Sequence, residues 1–196
     1  MLSLNETVSK KHIKISAYNS LIESKINSLP VDPVVAIKSR GDARLFGLTF
    51  YRHYGWDEKD FQKAFGAYGA AIYSESTKKY FITYNDEIPK PYVRWTLSSL
   101  LAAIELDLVD NTKYFSVTYR DSDDPDLFAQ YFTAPDVILH SINTTHPEEI
   151  MEYCNIPFDK AYRKSQSLKF SWANKKPMID KILRFVFDDY IESHKK

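Results

Sequence analysis

The chain has 196 residues, 44% hydrophobic and 15% aromatic, enough to bury the core of an ordinary domain, which excludes a globally disordered polypeptide. Lys plus Arg and Asp plus Glu are 26 each, and the resulting zero formal charge argues against general nucleic-acid affinity. Cys154 is the only cysteine, so neither a disulfide framework nor a cysteine zinc site can form within one chain.

Met1 to Ser20 is polar and charged with no apolar run, unlike a signal peptide. The longest apolar-rich segment, Trp95 to Val109, is interrupted by Glu105 and Asp107 and falls short of the roughly 18 to 20 apolar residues of a membrane span. The expectation is a soluble, cytoplasmic protein. Glu6 to Ser28 carries Val8, Ile13, Ile15, Leu21, Ile22 and Ile26 at helical spacing, and Leu29-Pro30-Val31-Asp32-Pro33 then forces an extended turn. Val34 to Arg40 predicts a short helix stopped by Gly41. Leu45 to Tyr51, Ala70 to Ser74 and Tyr80 to Tyr84 are rich in aromatic and β-branched residues and predict strands, the last two as an antiparallel hairpin. Trp56 to Phe65 reads as a helix with Asp57 as its cap and Gly66 at its end.

After the turn Asn85 to Pro91, a long helix is expected from Lys90 or Pro91. Val93, Leu97, Leu100, Ile104 and Leu108 form its apolar stripe, placing it at the centre of the core. Tyr114 to Tyr119 alternates like a fourth strand, followed by an acidic loop at Asp121 to Asp126. Helices are predicted over Leu127 to Ser141, broken near Pro135, and over Pro147 to Cys154, Phe158 to Phe170 and Pro177 to Ser193. The expected fold class is α+β, a small antiparallel sheet packed on the central helix, with a helical C-terminal portion. We read one domain over residues 1–196, with sheet and central helix in 1–126 and the helical portion in 127–196.

Four places carry a resemblance to a known family. They are Leu29-Pro30-Val31-Asp32-Pro33 after an opening helix, Tyr80 to Pro89 (YFITYNDEIP), Val93 to Leu108 (VRWTLSSLLAAIELDL), and the pairs Phe128-Ala129 and Ala134-Pro135. Their order and spacing resemble the ImmA/IrrE zinc metallopeptidases, whose members inactivate DNA-binding repressors; the third segment is similar to the family's zinc helix, R-F-T-L-A-H-E-L-G-H-x-x-L. The likeness spans about Tyr18 to Phe170. A zinc peptidase needs two imidazoles one helical turn apart and a glutamate to activate the metal-bound water. The resemblance places those roles at Ser99, Leu100 and Ala103, none of which can perform them, and the third ligand nearest Asp124. His12, His53, His140, His146 and His194 provide no pair at i, i+3 or i, i+4 that could relocate the site.

Asp121, Asp123, Asp124 and Asp126 lack the glycine and closing glutamate of an EF-hand loop and read as a solvated loop at a helix start. Glu105 and Asp107, at i, i+2, point to different faces and read as exposed. Ser98 and Ser99 lack a nucleophile elbow and a nearby histidine. Glu148 to Lys169 mimics a helix-turn-helix, with Lys160, Arg163 and Lys164 on one face of its second helix as candidate contacts to DNA or a partner; the acidic Glu148, Glu149 and Glu152 on the first helix favour structural packing. Arg44 to Gln62 and Tyr68 to Tyr84 are dense in aromatic residues. These read as core or cross-strand pairs, and any exposed ones would be good anchors for a partner.

The resemblance implies a catalytically inactive pseudopeptidase without metal or cofactor. It further implies a regulatory protein of a phage, prophage or other mobile element that binds a helix-turn-helix repressor. The alternatives are a DNA-binding regulator using residues 148–169, and a hydrolase with an unrecognised site.

Overall fold

A computed structural model describes residues 4–117, 124–171 and 177–195. The fold is α+β and divides into two compact units, Pro33–Asp126 and a discontinuous one made of Met1–Asp32 with Leu127–Lys196. The boundary differs from the expected division after residue 126 in one respect. The opening helix belongs with the C-terminal helices, not with the sheet, because its apolar stripe is buried against them.

The sheet unit runs α2 (Pro33–Ser39), β1 (Ala43–Gly47), α3 (Leu48–Arg52), α4 (Glu58–Phe65), β2 (Gly69–Ser74), β3 (Lys79–Tyr84), α5 (Lys90–Glu105) and β4 (Phe115–Ser116). Its four strands lie in the order β1-β3-β2-β4. β2 and β3 form the expected antiparallel hairpin, with Ala71 opposite Ile82. The sheet is mixed, however, not antiparallel throughout: β1 runs parallel to β3, with Leu45 opposite Ile82. The long connection through α3 and α4 leaves β1 free of its successor β2, and the hairpin slots β3 between them. Successive side chains alternate across the sheet, so Leu45, Ala71 and Ile82 share one face while Phe46, Ile72 and Phe81 share the other. The helix α5 packs on β2 and β3.

The strand expected over Leu45 to Tyr51 ends at Gly47, and Leu48–Arg52 is helical. The reason lies 37 residues on: the Asp86 carboxylate accepts the Thr49 backbone N–H at 3.0 Å and the Thr49 hydroxyl, satisfying a free donor at the start of α3. Gly47 has to be glycine-sized there, since a Cβ would lie 2.2 Å from Asp86 Oδ2. In α4 the expected Asp57 cap is present as a full capping box, with Asp57 accepting the Asp60 N–H at 2.9 Å and Asp60 accepting the Asp57 N–H at 3.2 Å. Glu105 is not the exposed residue expected from the sequence. It pairs with Arg40, whose guanidinium also grips Asp42 in a bidentate fork with both bonds at 3.0 Å. The Arg40–Glu105 pair ties the end of α2 to the end of α5. The stripe's last member, Leu108, lies beyond the end of α5 and is exposed.

The helical unit contains α1 (Leu4–Glu23), most of α6 (Asp124–Thr133), then α7 (Asp136–Ser141), α8 (Pro147–Cys154), α9 (Phe158–Ser171), α10 (Met178–Val186) and α11 (Asp188–His194). Pro135 separates α6 from α7 as expected. Asn155, at φ 48°, turns the chain between α8 and α9, and those two helices pack on each other. α10 packs on α1 and α7. Tyr18, Leu21, Phe128, Phe132, Ile138, Leu183 and Phe187 are fully buried in this unit. The helix expected over Pro177 to Ser193 is divided at Phe187. Tyr119, Asp121 and Asp123, part of the expected fourth strand and acidic loop, lie outside the described residues.

Among the described residues no helix is long and apolar enough to cross a membrane.

Candidate functional site

The helix that would carry a zinc site is α5. All ten residues from Trp95 to Ile104 are buried, so the helix is enclosed on every side instead of showing one wet face. Ser99 is 4% exposed, and Leu100 and Ala103 are fully buried. The Ser98 hydroxyl donates to the Arg94 carbonyl at 2.8 Å and that of Ser99 to the Trp95 carbonyl at 3.1 Å. Both hydroxyls are turned back onto their own helix, so neither is presented as a nucleophile or a ligand. Asp124 is exposed in the first turn of α6. Its neighbour Asp126 accepts the Trp95 indole N–H at 2.9 Å, so a carboxylate of this stretch holds an aromatic ring of α5 in place. The donor set at Ser99, Leu100 and Ala103 does not fit a zinc ion. His12, His53 and His146 are exposed; His194 stacks on Tyr190 with ring centroids 4.1 Å apart. No group of three or more His, Cys, Asp or Glu side chains disposed to hold a metal occurs among the described residues.

In the helix-turn-helix-like segment the structural packing favoured from the sequence agrees with the burial observed. Of the three cations named as candidate contacts on one face of α9, Lys160 and Lys164 are 1% and 0% exposed, and Arg163 is half-buried. A lysine whose ammonium is sealed inside the unit cannot reach a phosphate. The ammonium of Lys164 pairs with the Asp136 carboxylate. Lys14 stands 3.7 Å from the same carboxylate and 3.0 Å from that of Asp180. Lys14 and Lys164 also lie over the Tyr131 ring, at 6.0 and 5.0 Å from its centroid. Burial by itself pushes Asp136 up, but Lys164 and Lys14, with His140, outweigh it and hold the carboxyl below its ordinary range. The Tyr131 phenol is pushed up to about 12 by burial and the two aspartates, and Tyr18 is raised well above its ordinary value by the same causes. Two ammonium groups against two carboxylates make a closed cluster that fixes α1, α7, α9 and α10 relative to one another. Such a cluster serves specificity of packing more than catalysis.

An accessible recess does exist in the sheet unit, on the aromatic stretch marked in the sequence. Phe46, Ile72 and Phe81 from the sheet, Phe50 and Tyr51 from α3, and Phe65 from α4 line an open groove of about 410 Å³. Phe46 stacks on Phe81 at 5.9 Å between ring centroids and meets Phe50 at 4.9 Å. Tyr51 touches Phe65 at 5.3 Å, and Trp56 stacks on Phe65 at 5.9 Å and 9° between planes. Phe50 and Tyr54, 5.1 Å apart, form the outer rim at 39% and 70% exposure. The lining has no carboxylate, imidazole or amine; its one titratable group is the Tyr51 phenol, raised by burial. The rings give the recess an apolar lining of the kind that suits apolar groups. Arg44 and Lys79 project from the same sheet face by alternation. Arg44 donates to the carbonyl oxygens of Ala43 and Gly41, at 2.9 and 3.3 Å. Neither cation forms an ion pair with a carboxylate among the described residues.

Comparison of the chain with family models, with curated proteins and with solved structures finds no match.

Proposed function

We propose that this chain is a catalytically inactive relative of the ImmA/IrrE metallopeptidases, working in the cytoplasm of a cell that carries a phage or related mobile element. In this reading it binds a helix-turn-helix repressor instead of cutting it. One observation carries the reading: Ser99, Leu100 and Ala103 stand, buried, where two imidazoles and a glutamate would be required. The partner's docking segment is an apolar stretch flanked by carboxylates. Its apolar side chains suit the ring-lined groove between Phe46, Phe50 and Phe81, and its acids suit Arg44 and Lys79.

The testing experiment is calorimetric titration of the purified chain with the purified repressor encoded beside it, followed by mass analysis of the repressor with and without added zinc. Binding that weakens at least about tenfold on Phe50→Ala, with the repressor intact throughout, is expected. Repressor cleavage, or no binding, overturns the reading. The DNA-binding alternative has lost its main support, since two of its three basic contacts are interior residues.

A further inference from the structure

β1 is an edge strand, at one end of the order β1-β3-β2-β4. The Tyr80 N–H donates to Asp42 O at 2.8 Å, and Ala43 stands opposite Tyr80 in the parallel register. Asp42, Arg44 and Phe46 therefore turn their backbone groups towards β3, and Ala43, Leu45 and Gly47 turn theirs outwards. The outward Ala43 carbonyl is covered by the Arg44 guanidinium, which donates to it at 2.9 Å and to Gly41 O at 3.3 Å. The N–H and C=O of Leu45 and the N–H of Gly47 have no hydrogen-bond partner among the described residues. Arg44 is exposed and Leu45 and Gly47 are half-buried, so solvent reaches this edge.

An unpaired strand edge is a template for an extended chain. We propose that the edge of β1 receives a segment of the protein partner as an added antiparallel strand, an inference that rests on the reading of the adjoining aromatic groove as the partner's site. One residue of the segment exchanges both backbone bonds with Leu45, and the carbonyl two residues before it accepts the Gly47 N–H. Side chains alternate across the sheet, so the neighbours of that residue fall on the groove face. The preceding one stands beside Phe46, whose ring meets Phe50 at 4.9 Å, and is apolar. The following one stands beside Arg44, whose hydrogen bonds go to carbonyls and leave its charge unneutralised, and is an aspartate or glutamate. The segment therefore reads apolar, any residue, acid, from its N-terminal end. A parallel strand would reverse that order and pair less stably. Pairing stops at one end where Arg44 covers the Ala43 carbonyl and at the other where the chain turns into α3 at Leu48, so the added strand is short.

Amide exchange of the full chain, followed by NMR with a synthetic peptide as probe, tests the proposal. In the free chain the Leu45 amide should exchange at least about tenfold faster than those of Arg44 and Phe46, which are bonded to β3. The peptide Thr-Phe-Thr-Glu-Thr, added to about 5 mM, should shift the Leu45 amide and slow its exchange. The same peptide N-methylated at its central threonine lacks the donor to Leu45 O and should bind at least about tenfold more weakly. Arg44→Glu, its fold checked by far-UV circular dichroism, should weaken the unmethylated peptide at least about fivefold, and lysine in place of the peptide's glutamate should recover most of that loss. A free chain whose Leu45 amide is as slow as that of Phe46, as it would be if a second copy occupied the edge, overturns the proposal. So does a Leu45 amide that the peptide leaves unmoved, or a methylated peptide that binds as well as the other; each leaves the partner reading standing. A repressor that fails to bind while the peptide does overturns that reading and leaves the strand site.

Discussion

In the sheet unit, α5 is buried from Trp95 to Ile104, and the polar side-chain atoms of that stretch are neutral hydroxyls and one indole nitrogen. In the helical unit, α9 buries two lysines within five residues, one of them ion-paired to Asp136. The first interior is uncharged where the resemblance leads one to expect a metal, an acid and two imidazoles. The second encloses charge on a helix whose lysines were also candidates for surface contacts. Each is self-consistent, because a buried charge persists only with a partner, and a helix deprived of partners is stable only if its side chains need none. The contrast shows that polar residue types in a helix do not by themselves mark a functional face; their partners decide.

The largest effect is expected from placing zinc-peptidase side chains in α5. Ser99→His, Leu100→Glu and Ala103→His together place three polar, mostly larger side chains into positions at most 4% exposed. A loss of more than about 4 kcal/mol in urea unfolding is expected, with no recovery on adding zinc. A variant as stable as the parent, and further stabilised by zinc, would mean that the two interiors are less different than described.

Breaking the other interior should come next. Lys164→Met strands the Asp136 carboxylate beside only the more distant Lys14 and should cost about 3 to 5 kcal/mol, while Lys164→Met with Asp136→Leu should recover most of it. The same pair sets an acid dependence. Because the folded-state carboxyl of Asp136 is held below its unfolded value, its contribution is fully present above that unfolded value and is lost as pH falls through the folded one. The parent's stability should therefore drop below about pH 4, and the double variant should show a shallower drop in denaturant titrations at stepped pH. At the alkaline end the sign reverses. Tyr131, raised from 10.0 to about 12, destabilises the fold as pH climbs from 10 towards 12. A 295 nm titration should show late-ionising tyrosine.

The smallest expected change is local. Gly47→Ala drives a Cβ into Asp86 and displaces the acceptor that caps α3. A loss of about 1 to 2 kcal/mol should follow, with weaker binding of partner by calorimetry, because α3 carries Phe50 and Tyr51 of the groove.

The elements that could be read in the sequence were those set by local chemistry. The Asp57 cap, the Pro135 break, the β2–β3 hairpin and the span of α8 each depend on residues a few positions apart. The misread elements depend on distant ones. Leu48–Arg52 has strand-forming residues but is helical because Asp86 arrives from another turn, and β1 is parallel to β3 because of where a later hairpin inserts. In the aromatic groove, residue type announced the surface, while its assembly from three strands and two helices could not be read. Lys164 is the instructive case in α9. Ala161, Ser165 and Leu168 are buried at i−3, i+1 and i+4 from it, so its position in the helical period placed it inside. Its charge suggested the opposite, and the deciding carboxylate lies 28 residues earlier.

The discontinuous make-up of the helical unit bears on how the chain emerges during synthesis. Pro33–Asp126 is contiguous and can complete its own contacts once its last strand has left the ribosome. The helix α1 packs on α10, from which it is separated in the chain by the whole sheet unit and four further helices. Ile13, Ala17 and Leu21 therefore wait for that partner until more than 150 further residues have been added. Within the helical unit, α1 is thus the helix whose apolar stripe waits for a partner more than 150 residues further along the chain.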